Sequence, residues 1–168
     1  MISNDYAGGE LIVDYLVKQG HTRISMLAPP WRPSDRVDGY TAAMHRHGLN
    51  PRIVDVQYGR NVPPQNLHRV LDEKDMPTAI FAYNDIMALE LLGVLRERGL
   101  RTPEDIAVVG YDNMWVSSLG AIDLTSVDQN PLELGKISAE IALARVHGLD
   151  DKPILRKVEP RLVPRTSA

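Results

Sequence analysis

The sequence predicts an α/β protein with a doubly wound parallel sheet. Four short apolar runs, Arg23 to Ala28, Ile53 to Val56, Ala79 to Ala82 and Ile106 to Val109, have the length of strands. Between them lie stretches with apolar residues at helical spacing, bounded by capping residues, prolines and glycines. Strands that alternate with helices in this way form parallel βαβ units, because a parallel crossover needs a helix-length connection.

In chain order, Ala7 to Gln19 is a helix, capped by Asn4 or Asp5, with Leu11, Ile12, Tyr15 and Leu16 on its apolar face and Gly20 as its stop. A chain that opens on a helix with no earlier strand to pack on points to further sequence upstream. The strand from Arg23 ends at Pro29 and Pro30, which cannot extend a ladder. Ser34 or Asp35 caps a helix to about His47, and Gly48 stops it. After the strand at Ile53, Pro63 and Pro64 open a helix to about Glu73. Thr78 to Asn113 then reads as strand, helix, strand, and a right-handed crossover places Asn84 and Asp112 on one edge.

Beyond Asp112 the pattern changes. A polar and aromatic linker, Met114 to Asp123, leads to a small strand at Leu124 to Val127. Asn130, Pro131 and Glu133 have the spacing of a capping box. The helix they open carries Leu134, Ile137, Ile141 and Ala144 on one face and Leu132, Ala139, Leu143 and Val146 on a second, so it is expected to be covered on two sides. Ile154 to Val158 and Arg161 to Arg165 are expected to pair, with Pro164 marking an edge strand.

At 168 residues, 43% hydrophobic and 24% charged, the chain has a globular composition. A net charge of -3 argues against nucleic-acid binding by this chain itself, which needs a basic excess. The absence of cysteine excludes disulfides and thiolate metal sites and fits a cytoplasmic protein. No apolar run reaches membrane-spanning length, and Met1 to Ala7 lacks the features of a signal peptide.

In an open parallel sheet, ligands bind outside the carboxyl ends of the strands. The polar groups that fall there are Ser34, Asp35 and Arg36, then Tyr58 to Asn61, then Asn84 and Asp85, then Asp112 and Asn113. One Arg, two amides and two or three carboxylates suit a neutral polyhydroxylated ligand. Asp85 reads as a helix N-cap before it reads as a ligand group. For Asn84 and Asp112 the position alone leaves a ligand role and a structural role equally open, and Arg36 is equally a solvated helix charge. Trp31, Tyr58, Tyr83, Tyr111 and Trp115 gather near the same edge, either as sugar-stacking faces or as ordinary core aromatics. Phosphate-cradling glycine patterns and the nucleophile elbow are absent, and the five histidines lack metal-ligand spacing.

Three motifs resemble the lactose-repressor/galactose-repressor family of bacterial transcription regulators: Ala79 to Ala88, Asp105 to Asn113 and Leu124 to Gln129. Gly20 to Ile24 and Glu159 to Ser167 are similar to that family as well, so the resemblance runs along the whole chain while covering about half of a typical member. It implies a periplasmic-binding-protein-like fold of type I, in which two subdomains enclose an effector. On this basis 23–113 and 151–168 are expected to build the C-terminal subdomain. The helix within 1–22 and the segment 114–150 are expected to belong to an incomplete N-terminal subdomain, leaving orphan helices.

The resemblance also implies the function. The chain is expected to be the sugar- or metabolite-sensing part of a transcriptional regulator, not an enzyme, with no cofactor. DNA contact would come only through a helix-turn-helix headpiece outside the chain, and the expected assembly is a cytoplasmic homodimer with no membrane contact. Arg36, Asn84 and Asp112 match effector-binding positions, and Gln129 matches a cleft residue on the N-terminal-subdomain side. Arg60, with Tyr58 nearby, stands where some members place a tryptophan. The alternatives are a solute-binding protein of a sugar transport system and an α/β enzyme using Asp85 or Asp112.

Overall fold

The computed structural model describes residues 2–30, 34–57, 65–72, 75–148 and 155–168. In chain order the elements are β1 (Ile2–Ser3), α1 (Asp5–Lys18), β2 (Ile24–Ala28), α2 (Asp35–Arg46), β3 (Arg52–Asp55), α3 (Gln65–Leu71) and β4 (Ala79–Ala82). There follow α4 (Asp85–Glu97), β5 (Ala107–Tyr111), a 3₁₀ turn at Trp115–Ser118, β6 (Thr125–Asp128), α5 (Pro131–Val146), β7 (Lys157–Val158) and β8 (Arg161–Val163). Six strands form one sheet in the order β3-β2-β4-β5-β6-β8. Its first five are parallel, and β8 runs antiparallel to β6 at the edge.

The central strands β2, β4 and β5 are buried on both faces, which is why they read as unbroken apolar runs. Met26, Phe81, Val109 and Tyr111 point to the layer that holds α1 and α2, while Leu27, Ile80, Ala82 and Val108 face the layer of α3 and α4. The register pairs Met26 with Phe81 and Phe81 with Val109, so the alternation holds across the central strands.

Four expectations are corrected. The first helix is not an orphan: Ile12, Val13 and Leu16 of α1 are fully buried in the α2 layer, each burial worth about 1.5–3 kcal/mol. Likewise the strand expected at Leu124 to Val127 in an N-terminal subdomain is β6, hydrogen-bonded to β5 within the main sheet. The two closing segments do not pair with each other. Instead β7 lies parallel to β1 in a separate ribbon, and β8 joins β6. Finally, the capping box at Asn130 does not form, because Asn130 is left-handed (φ 57°) and its side chain makes no cap bond. Its N–H donates to Asp128 instead, at 2.8 Å.

α5 remains the orphan that the sequence predicts. None of its residues is fully buried; Leu134, Ile137, Ile141 and Ala144 are half covered, and Leu132, Leu143 and Val146 are 85%, 59% and 80% exposed.

Candidate functional site

The carboxyl edge of the sheet gathers Arg36, Tyr83, Asn84, Tyr111, Asp112 and Gln129, and adds Asp5 from the start of α1. Arg36 sits in the first turn of α2 and is only 5% exposed. Its guanidinium lies 3.5 Å from the Tyr111 ring centroid and 4.5 Å from that of Tyr83, close enough for cation–π attraction. One amino group donates to the Tyr83 carbonyl, and the other donates to Asp5 Oδ2 at 2.9 Å. Its Nε is buried with no partner among the described residues.

Glycines bring Asp5 there. A Cβ on Gly39 would stand 2.0 Å from the Tyr6 carbonyl oxygen, and one on Gly9 would stand 2.4 Å from that of Arg36. Side chains at these two positions would hold α1 away from α2, and Asp5 away from Arg36 and from the Tyr111 hydroxyl that donates to it at 3.1 Å.

Asp112 follows β5 in a conformation that favours glycine, with φ of 102°, and Asn113 follows with φ of 46°. Two such residues in succession cost on the order of 1–3 kcal/mol each and persist only when their surroundings hold them. The holding contacts are the Asp112 N–H on the Val127 carbonyl at 2.8 Å, the Asn113 N–H on Ser126 Oγ at 3.0 Å, and Arg165 on Asn113 Oδ1 at 2.7 Å. The Asp112 carboxylate accepts from Gln129 Nε2 at 2.5 Å. Burial pushes its pKa above the ordinary carboxylate value, with Arg36 and the Gln129 bond pulling the other way and Asp85 and Asp5 adding to the rise.

The cap expected of Asp85 is made by Asn84 instead. Asn84, at the end of β4, is the N-cap of α4, and its side-chain oxygen accepts from the Met87 N–H at 2.9 Å. Asp85 is fully buried and caps nothing; it accepts from the Met114 N–H and the Ser117 hydroxyl, both at 2.7 Å, and from the Ser126 hydroxyl at 2.6 Å.

Of the residues singled out in the sequence, Arg36, Asn84, Asp112 and Gln129 therefore lie at the carboxyl ends of β2, β4, β5 and β6. Gln129 stands on the same edge as Asp112, directly after β6, and not across a cleft from it. Tyr58, Arg60 and Trp31 lie outside the described residues. Tyr111 is a core aromatic, stacked on Phe81 at 6.4 Å, and Trp115 is 75% exposed. Sequence reasoning missed Asp5, because only a long-range helix contact brings it to Arg36. It also missed the Asp85–Ser126 connection, for which the one local signal is Gly110: a Cβ there would stand 2.2 Å from Asp85 Oδ1. No cluster of metal-binding side chains exists among the described residues, and none of their helices is long and apolar enough to cross a membrane.

Comparison with known proteins agrees with this architecture. The family model described as periplasmic binding protein-like domain matches residues 13–168. A curated relative, the HTH-type transcriptional repressor PurR of Vibrio atlanticus, is 31% identical over 99% of this chain and 52% of its own length. Among solved structures, the transcriptional regulator CelR in complex with cellobiose superposes with a TM-score of 0.86 at 31% identity, covering 99% of this chain and 53% of that one. A dimeric Lac repressor superposes with a TM-score of 0.85 at 31% identity, covering 99% of this chain and 63% of that one. These relatives are transcriptional regulators, and the chain spans about half the length of the curated relatives it matches. From its sheet order, its site edge and these matches, the chain belongs to the periplasmic binding protein-like domain family.

Proposed function

We propose that this chain is the effector-sensing part of a bacterial DNA-binding transcriptional regulator. The observation that carries the reading is the carboxyl edge of the sheet, where Arg36, Asp112 and Gln129 converge in a chain whose relatives over nearly its full length are repressors. In this reading Arg36 contacts the effector from the first turn of α2 and Asn84 from the start of α4, while Asp112 and Gln129 accept and donate to its hydroxyls. By sequence position alone, Tyr58 and Arg60 are further candidates for contact with it. Asp5 neutralises Arg36, so the wall favours an uncharged polyhydroxylated compound, and sugars are the class to test first because one relative is solved with cellobiose.

The described sheet is one wall of the cleft, and α5 belongs to the opposite lobe, whose remaining mass lies in the part of the relatives this chain does not match. Effector binding shifts the equilibrium between two arrangements of the lobes, and that shift alters operator affinity through a separate headpiece. The working form is a cytoplasmic homodimer, in keeping with the dimeric Lac repressor among its structural relatives.

The test is a panel of pentoses, hexoses, disaccharides and sugar phosphates screened by thermal shift. Hits are then added to an operator-binding assay with the longer regulator that contains this sequence. A compound that raises the melting temperature and changes operator affinity at least tenfold supports the reading. A hit that is chemically turned over, or one that leaves DNA affinity unchanged, contradicts it.

A further inference from the structure

We propose that Asp85 is a positioning residue of the cleft, acting through Ser126 to fix the turn that presents the Asp112 carboxylate. The proposal rests on the reading of Asp112 as an effector-contacting group, and goes beyond it by assigning what holds that group in place. An unpaired buried carboxylate is costly, and Asp85 is completely buried, so its hydrogen bonds must be matched to it. All three of its donors come from outside its own helix: the Met114 N–H, the Ser117 hydroxyl and the Ser126 hydroxyl. Asp85 therefore ties the start of α4 to the loop after β5 and to β6.

Ser126 is the connecting member. It stands opposite Gly110 in the parallel register, and its hydroxyl donates to Asp85 Oδ1 at 2.6 Å while accepting the Asn113 N–H at 3.0 Å. With its proton committed to the carboxylate, the hydroxyl oxygen must act as acceptor toward the turn. Asp85 thereby fixes the orientation of the hydroxyl whose lone pair holds Asn113 in its left-handed conformation, and with it the side chain of Asp112 one residue earlier. Gly110 leaves the space that the Asp85 carboxylate occupies.

The two serines on Asp85 give a matched pair of variants. Ser126→Ala breaks the connection to Asn113, whereas Ser117→Ala removes an equally buried hydroxyl from the same carboxylate and leaves that connection intact. Both are read in the labelled chain by carbon-detected titration of the Asp112 carboxyl and by amide exchange at Asn113, with no effector added. The groups facing Asp112 are Arg36, Gln129, Asp85 and Asp5; each serine change removes one hydrogen bond from Asp85, so the two variants are matched in that respect.

The expected result is that Ser126→Ala returns Asp112 to the ordinary carboxylate range and speeds exchange at Asn113 at least tenfold. Ser117→Ala should change neither, and Ser126→Thr, which restores the hydroxyl, should restore both. Should Ser126→Ala fail to fold, the isosteric Asp85→Asn is read by amide exchange at Asn113 alone, because loss of the Asp85 charge lowers Asp112 by itself; the same tenfold faster exchange is expected. Equal effects from the two serine variants, an unmoved Asp112 in Ser126→Ala, or unchanged Asn113 exchange in Asp85→Asn would overturn the proposal. Because no ligand is used, a failed effector panel bears on the cleft reading alone and leaves this result standing.

Discussion

A partly buried carboxylate carries a cost, and Asp112, the proposed effector contact, shows its two sources: burial of its charge and a backbone φ of 102°. Asp112→Asn removes the charge, keeps an acceptor for Gln129 and suits positive φ better than Asp. It should raise stability by about 1 kcal/mol at neutral pH, measured by denaturant unfolding. The sign with pH follows from the raised carboxyl. Its ionised form opposes folding above the folded-state pKa, and that penalty disappears as pH falls through it toward the ordinary value of 3.8. The advantage of the Asn variant should therefore shrink on acidification, and a constant difference between pH 7 and pH 4 would count against this account. At this scale the sequence disclosed residue positions better than residue roles. Asn84 and Asp85 both have capping side chains, and only the arrival of Ser117 and Ser126 from later in the chain decides which one caps and which one is buried.

The strands and helices from Ile24 to Tyr111 were legible in the sequence to within a few residues, because apolar run length and helical period are local signals. What stayed hidden depends on contacts distant in sequence. α1 docks on α2 through Gly9 and Gly39, and β7 and β8 find partners in β1 and β6 more than 30 residues away. Gly39→Ala, whose methyl has no room against the Tyr6 carbonyl, should lower stability by about 2–3 kcal/mol and loosen the Asp5–Arg36 pair, as judged by unfolding and by a weaker effector response. At the other edge, Arg161 clasps Asp128 at 2.9 Å. Burial alone would push the Asp128 carboxyl up, but the bonds from Arg161 and the Asn130 N–H outweigh it and hold it below the ordinary value. A lowered carboxyl contributes stability above its unfolded value and loses it as pH falls through the folded one. Asp128→Asn should therefore cost about 1 kcal/mol or less at pH 7 and nothing once the pH is below the lowered folded-state value. A cost that persists in strong acid would show that the clasp is not electrostatic.

Among the described residues, the molecule is a six-stranded sheet packed by helices, with a small β1–β7 ribbon beside it and α5 left over. Its composition disclosed a globular chain, and the two apolar faces of α5 were visible as periodicity. Hydrogen exchange should separate the two regimes, with α1 amides protected to the level of the sheet and α5 amides exchanging at least a hundredfold faster; equal protection would mean that α5 is docked. The exposed Leu132, Leu143 and Val146 also predict concentration-dependent association in sedimentation, relieved when Leu143 and Val146 are both changed to Glu. The central claim, however, is that the carboxyl edge of the sheet holds the effector through Arg36 and Asp112. It is tested most directly by calorimetric titration of the best thermal-shift hit into the wild-type protein and into Asp112→Asn. Affinity at least a hundredfold weaker in a variant that is at least as stable as wild type is the predicted result, and unchanged affinity would contradict it.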